Sequence, residues 1–269
     1  MLDYVEQGSI GYFVARELSA HESVRHGFLT KRGGVADGLF SGLNISSRLG
    51  NRDCVRRNWE SLSSVLQIPR GRFVLATQVH GKEVFVVDGD RILPEGGGVG
   101  ECDALVTERP GLALCVKTAD CVPVFLLDPE RRAIGVAHAG WRGTSANIVG
   151  SVVDRMKKRF GCRPAEMIAA IGPSIGACCY EVDRIVYESV SGLRHRNSWF
   201  RRCGANRWLF DLPLANRMQL GEAGLSENHI VMSEVCTRCR SDLFFSHRRD
   251  GADTGRQLNF MVLDSTARR

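Results

Sequence analysis

Two apolar runs of strand length, Val122–Leu127 and Ala133–Ala137, flank the polar connector Asp128-Pro129-Glu130-Arg131-Arg132. Short β-rich runs broken by a Pro-containing turn predict a hairpin. With Asp128 opposite Ala133, the residue facing Cys121 lies close to His138. Directly opposed residues on one face have Cβ atoms about 5 Å apart, and diagonal ones about 7–8 Å. A thiol and an imidazole are therefore expected at one end of this hairpin. Gly140 and Gly143 then let the chain turn sharply into a helix starting near Thr144. That helix, Thr144–Phe160, puts Ile148, Val149, Val152, Val153, Met156 and Phe160 on one face, with Asp154, Lys157 and Lys158 opposite, and ends at Gly161.

The same patterning organises the rest of the chain. Asp53–Leu66 carries Val55, Trp59, Leu62 and Leu66 at helical spacing behind an Asp N-cap. Strands are predicted at His26–Leu29, Asp103–Thr107, Leu112–Val116, Met167–Ile171 and Leu258–Leu263. Phe73–Val79 and Glu83–Val87 read as two strands joined by a tight turn at His80-Gly81-Lys82. Helices are expected over residues 180–193 and over Leu212–Ala223, with Arg194–Arg207 irregular and basic and residues 93–101 a mobile loop. Interleaved strands and helices, without a repeat or a linker, predict a single α/β or α+β domain over residues 1–269. Short turns between many strands predict mixed sheets.

The composition is that of an ordinary globular chain, 43% apolar and 25% charged. No apolar run is long enough to span a bilayer. The start, MLDYVEQGSIGYF, lacks a basic segment followed by an apolar core, so a cytoplasmic location is expected. A net charge of +6 raises the question of nucleic acid, but the arginines are scattered rather than gathered, which argues against a dedicated surface. Without a secretion signal, the ten cysteines are expected to be mostly buried thiols, with a reactive thiol or metal ligands among them.

His80, Cys121 and His138 all fall at predicted strand ends, and the inventory of two imidazoles and one thiol suits a zinc site with an open fourth position. Their separations match no zinc-finger spacing, which favours a catalytic over a structural site. The same atoms allow a metal-free chemistry, with Cys121 as thiolate nucleophile and His138 as its base. Asp120 precedes Cys121 and points to the opposite face if the segment is extended, which makes it a less obvious orienting residue. Cys236-Thr237-Arg238-Cys239 is a CxxC pair with no second CxxC, and it reads as structural thiols; the adjacent Cys178 and Cys179 would have to meet it by tertiary packing to complete a metal site. Lys31, Arg32, Arg248, Arg249 and Arg256 lie on glycine-containing loops that suit an anion if they converge.

Five segments appear in order: Gln78-Val79-His80-Gly81, Thr118-Ala119-Asp120-Cys121-Val122-Pro123, His138-Ala139-Gly140-Trp141-Arg142-Gly143, Ile171-Gly172-Pro173-Ser174-Ile175-Gly176, and Arg248-Arg249-Asp250-Gly251 with Thr254-Gly255-Arg256. Together they resemble the YfiH-like laccase-domain family, once called multicopper polyphenol oxidases and now assigned as purine nucleoside phosphorylases. The match spans residues 25 to 263 or so. The resemblance implies mixed β-sheets sandwiched between helices in layers, distantly like bacterial toxin deamidases. It implies zinc on His80, Cys121 and His138, with copper able to substitute. It also implies phosphorolysis of adenosine, inosine and methylthioadenosine to free base and ribose 1-phosphate, with adenosine deamination alongside. Purine nucleosides and phosphate are then the expected partners, and the chain a monomer or weak homodimer. Asp120 and Cys121 are the catalytic candidates, and Lys31, Arg32, Asn44 and Arg249 the candidates for substrate or phosphate. Seven histidines, few of them clustered, make multicopper oxidase chemistry a side activity at most. His247, where the family pattern has an aromatic, and Lys117 are departures that touch no proposed ligand.

Overall fold

A computed structural model, describing residues 1–46, 50–88 and 99–265, arranges the strands in two six-stranded sheets and one small sheet. From edge to edge the first sheet runs Leu2–Gln7, Ile10–Ala15, Val24–Leu29, Gln257–Leu263, Ala113–Thr118 and Phe73–Val74. The second runs Ile230–Met232, Ile168–Ile171, Val122–Asp128, Ala133–Ala139, Ala104–Thr107 and Val84–Val86. Both are mixed: Phe73–Val74, Val84–Val86 and Ile230–Met232 each pair parallel with a neighbour, and the remaining pairings are antiparallel.

The period-2 alternation of each strand divides its side chains between two apolar layers. In the first sheet, Leu114, Val116 and Met261 face inward, whereas Ala113, Cys115 and Phe260 pack with Val55, Trp59 and Leu62 of the helix Arg52–Leu66. In the second sheet, Phe125, Leu127 and Val136 face the first sheet, while Val124, Leu126 and Ala137 pack with Val149, Val152 and Met156 of the helix Ile148–Phe160 and with Leu220 of Leu212–Glu222. Phe28 and Phe125 stack across the inter-sheet layer with ring centroids 4.2 Å apart. The order is helix, sheet, sheet, helices. Strands buried on both faces have no polar side to show, which is why Val122–Leu127 reads as an unbroken apolar run.

The hairpin has the expected register, with Asp128 opposite Ala133 and Pro123 opposite His138. Other elements differ. Phe73–Val74 and Val84–Val86 are not a hairpin; they belong to different sheets, and the chain between them crosses from one sheet to the other. The helix after the hairpin begins earlier, at Trp141–Ser145, and restarts as Ile148–Phe160. Asn147 makes the break by adopting φ 56°, and its side chain accepts from the Gly150 N–H. Asn51, not Asp53, caps Arg52–Leu66. Residues 180–193 hold a strand, Glu181–Asp183, before the helix Arg184–Ser189. Within Arg194–Arg207, the helix Arg196–Trp199 leads into Phe200–Gly204, which pairs with Arg207–Phe210 around Asn206 at φ 56°. Buried Trp199 and Phe210 outweigh the polar composition there. Most of the 93–101 loop lies outside the described residues. Among the described residues, no helix is long and apolar enough to cross a membrane.

Candidate functional site

Three segments meet at one end of the sandwich. Thr118-Ala119-Asp120-Cys121 carries the chain from Ala113–Thr118 of the first sheet to Val122–Asp128 of the second, so Cys121 sits where it crosses. His80 lies on the other crossing, between Phe73–Val74 and Val84–Val86. His138 belongs to the strand Ala133–Ala139, beside the crossing point. The Gln78 side chain ties the two crossings together: its amide donates to Lys117 O at 2.8 Å and its oxygen accepts from Lys117 N at 2.8 Å. Two of these turns hold non-glycine residues in the left-handed region, His80 at φ 61° and Asp120 at φ 86°. Such conformations persist only where the surroundings over-determine them.

The surroundings are polar and specific. Asp103, fully buried, accepts from the N–H groups of Val79 (3.1 Å), His80 (3.0 Å) and Gly81 (2.7 Å). Its Oδ1 also accepts from His138 Nδ1 at 2.8 Å. One carboxylate thus shapes the His80 turn and fixes the His138 tautomer, leaving Nε2 toward the centre. Burial alone would raise the Asp103 carboxyl, but the His138 hydrogen bond and the backbone donors bring it below the usual carboxylate range.

The ligand atoms of His80, Cys121 and His138 lie within 4.8 Å of one another, and the two imidazole centroids are 4.8 Å apart. Burial pushes the Cys121 thiol up, yet the neighbouring His138 charge and hydrogen bonds from both imidazoles outweigh it and bring the thiol down to about 6. His138 is correspondingly raised to about 9: burial opposes the shift, and the Cys121 charge and Asp103 drive it. By contrast, burial raises Cys102 to about 11 and Cys162 to about 12, the behaviour of packing thiols. Gly140 closes the back of the cluster. A Cβ there would stand 3.0 Å from Cys121 Sγ and 3.1 Å from His80 Cδ2, so any larger residue would press on both side chains, although the backbone (φ −76°) is open to any residue. His138 is buried, Cys121 half-buried and His80 exposed, so the cluster opens to solvent on one side. One thiolate and two imidazoles, one of them carboxylate-backed, fit a divalent metal with a free coordination position.

The other expected residues divide into those that build the site and those that face it. Asp120 accepts from Thr237 Oγ1 (2.6 Å), Ser246 Oγ (3.0 Å) and Arg248 N (2.7 Å), bracing three segments against the Cys121 turn. Arg249, expected to take an anion, spends all five of its donors within the fold: on Asp250, Thr237 O, Arg238 O and Phe244 O. It is a rim brace rather than an anion fork. Arg32 is exposed, and its charge acts on Tyr4 and Asp242 rather than on the cluster. Asn44 is fully buried, and its Oδ1 accepts from Ser46 N and from Arg256 N (3.0 Å), joining the glycine loop to the C-terminal one. Lys31 holds its ammonium 6.0 Å from the Phe245 ring centroid.

One residue enters from structure alone, and one of the expected loop arginines is singled out by it. In sequence Asp103 is only the start of a strand; its signal is an acidic residue leading a wholly apolar run with no helix to cap. Arg256 is a loop cation whose charge interacts with Cys121 and Asp120. Burial lowers it, while the charges of Cys121 and Asp120 pull the other way. Its Nη1 donates to Thr254 O and Gly255 O, and among the described residues its Nε and Nη2 make no hydrogen bond.

Residues 25–264 match the family model described as multi-copper polyphenol oxidoreductase laccase. A purine nucleoside phosphorylase from Geobacillus stearothermophilus, YlmD, is 39% identical over 87% of this chain and 88% of its own. The adenosine deaminase RL5, from an unknown prokaryotic organism, is 35% identical over 85% of this chain and 90% of its own. The crystal structure of a hypothetical protein, YfiH, from Bacillus licheniformis superposes with a TM-score of 0.90 at 35% identity, covering 97% of this chain and 99% of that one. The chain therefore belongs to the multi-copper polyphenol oxidoreductase laccase family, and it is similar to YlmD and YfiH over most of its length.

Proposed function

We propose that this chain is a zinc-dependent purine nucleoside phosphorylase, cleaving adenosine, inosine and methylthioadenosine to the base and ribose 1-phosphate, and that it also deaminates adenosine. The observation that carries the reading is the His80–Cys121–His138 cluster, open on the His80 side, with the charge of Arg256 acting on Cys121. Relatives named for these two purine activities support it. Zinc, when bound there, supplies a Lewis acid beside the substrate.

The chain's own residues supply the rest. Arg256 offers Nε and Nη2 to phosphate, with Lys31 adding positive charge from the adjoining glycine loop. Asn44 fixes where the Arg256 backbone sits. A phosphate oxygen then forms the bond to ribose C1′ as the C1′–N9 bond breaks, and the base leaves with its electron pair and takes up a proton. Asp103 keeps the His138 Nδ1 proton in place through this step, so the imidazole does not rotate or change tautomer. Asp120 acts as a brace on the Cys121 turn.

Adenosine turnover with and without phosphate, followed by chromatography, tests the reading. Phosphate-dependent adenine, lost in Cys121→Ala and His138→Ala, is expected. Zinc-replete protein with no turnover of any of the three nucleosides overturns it. A second reading has one observation in its favour. A thiol brought down to about 6 beside an imidazole also suits a nucleophilic cysteine. Activity that survives removal of the metal but is lost on alkylation of Cys121 would select it.

A further inference from the structure

Far from the catalytic cluster in sequence, two turns present two sulfurs each to a common point. Cys236-Thr237-Arg238-Cys239 forms a turn closed by the Arg240 N–H on Cys236 O at 3.1 Å. Ala177-Cys178-Cys179 forms another, closed by Cys179 N and Tyr180 N on Gly176 O, both at 3.0 Å. All four sulfurs lie within 4.8 Å of one another, Cys178 and Cys179 standing 3.8 Å and 3.4 Å from Cys239. Four thiolates placed tetrahedrally about 2.3 Å from a zinc ion stand about 3.8 Å apart. The sequence pairs only Cys236 with Cys239 locally. It is the fold that supplies the other two.

We propose that Cys178, Cys179, Cys236 and Cys239 bind a second zinc ion as a structural tetrathiolate centre, separate from the His80–Cys121–His138 site. The polar neighbours suit it. The Gly176 N–H donates to Cys236 Sγ at 3.3 Å and the Arg238 guanidinium to Cys179 Sγ at 3.4 Å, so a backbone dipole and a cation oppose the negative charge that four thiolates carry. Four protein ligands close the coordination shell, which assigns the ion to structure rather than to catalysis.

The centre is a clasp on the wall of the catalytic site. Ser174 and Cys236 form an isolated parallel bridge, with Thr237 N donating to Ser174 O at 3.0 Å. Thr237, between the two cysteines of the turn, donates to Asp120 at 2.6 Å, and the next segment donates to the Asp120 carbonyl from Ile175 N at 2.9 Å. Asp120 is thereby held from both turns, directly beside Cys121. On the other side, Tyr180 follows Cys179 and lies under the Arg248 guanidinium at 5.1 Å. Loss of the ion frees both turns together and with them the Asp120 brace.

The test is metal stoichiometry on the full chain by plasma mass spectrometry. Zinc-replete protein is expected to hold about two zinc ions per chain. The double variant Cys121→Ala/His138→Ala keeps about one, and Cys178→Ser/Cys239→Ser also keeps about one. Because the cysteine-to-serine variant can lose its fold, the deciding measurement uses Cys121→Ala/His138→Ala, in which all four cysteines are intact. X-ray absorption at its zinc edge is expected to show four sulfur neighbours at about 2.3 Å and no nitrogen. A metal-free double variant, iron in place of zinc, or peptide mapping that finds disulfides among these four cysteines overturns the proposal. None of these outcomes depends on whether the chain cleaves nucleosides.

Discussion

Replacing Asp103 by asparagine removes one acceptor oxygen from a carboxylate that serves four donors. Oδ1 accepts from His80 N and His138 Nδ1, and Oδ2 from Val79 N and Gly81 N. An asparagine keeps one oxygen and turns an NH2 toward the other pair. With its oxygen on the His138 side, the Val79 and Gly81 N–H groups lose their acceptor; flipped, His80 N and His138 Nδ1 do. Each orphaned donor costs about 1–3 kcal/mol. Val79 is 46% exposed, so water compensates part of the first arrangement, which is therefore the one adopted. The expected loss of stability is about 2–4 kcal/mol, a large share of the 5–15 kcal/mol typical of a domain. The released His80 turn and the uncharged partner of His138 should weaken metal binding about 10–100-fold. Urea unfolding of the metal-free proteins gives the first quantity, and competition with a chromophoric chelator the second. An Asp103→Asn variant within about 0.5 kcal/mol of the parent, with unchanged metal affinity, would refute the reasoning.

Other outcomes follow from single contacts. Gly140→Ala puts a methyl group 3.0 Å from Cys121 Sγ and is expected to lower metal affinity with little change in thermal stability, read by the same chelator competition and by calorimetry. Arg249→Met, which loses the rim brace, should cost about 2 kcal/mol by urea unfolding, whereas Arg256→Met, which loses two hydrogen bonds to adjacent carbonyls, should cost less and raise the KM for phosphate about tenfold. Burial holds the His26 imidazole down to about 4 from its ordinary 6.5, with Ala15 N donating to its Nε2 at 2.8 Å. The unfolded chain therefore binds the proton first. Stability from this group is complete above about pH 6.5 and declines by about 3 kcal/mol as pH falls through about 4. His26→Gln should flatten that part of the urea-midpoint profile, and an unchanged slope would rule the assignment out.

Local pattern carried a good deal of this protein. The hairpin was legible because its register follows from two apolar runs and one turn, and register alone brings Cys121 near His138. The two long helices were legible for a similar reason: an apolar stripe at helical spacing needs only the next turn of the same segment to declare itself. The interleaving of strands and helices likewise reads as one α/β or α+β domain, and its layering is what the family resemblance implies. What the pattern could not carry was any pairing between segments distant in the chain. Phe73–Val74 and Val84–Val86 read as a hairpin because nothing in their residues says that the chain between them changes sheets. His80 reads in sequence as a strand end, whereas it lies within the crossing from Phe73–Val74 to Val84–Val86, and it meets Cys121 because both lie on crossings of the same sandwich. Arg249 and Arg256 are alike as sequence, two arginines on one loop system. Five donors spent internally make the first a brace, whereas the second donates only from Nη1 to Thr254 O and Gly255 O among the described residues, and its charge interacts with Cys121. Asp103 and the union of Cys178–Cys179 with Cys236–Cys239, sixty residues apart, belong to the same class. Periodicity is dictated by each segment's own need to bury one face, so the sequence by itself determines elements and their faces. Which turns share a space depends on how the finished layers stack, and only the tertiary structure decides that.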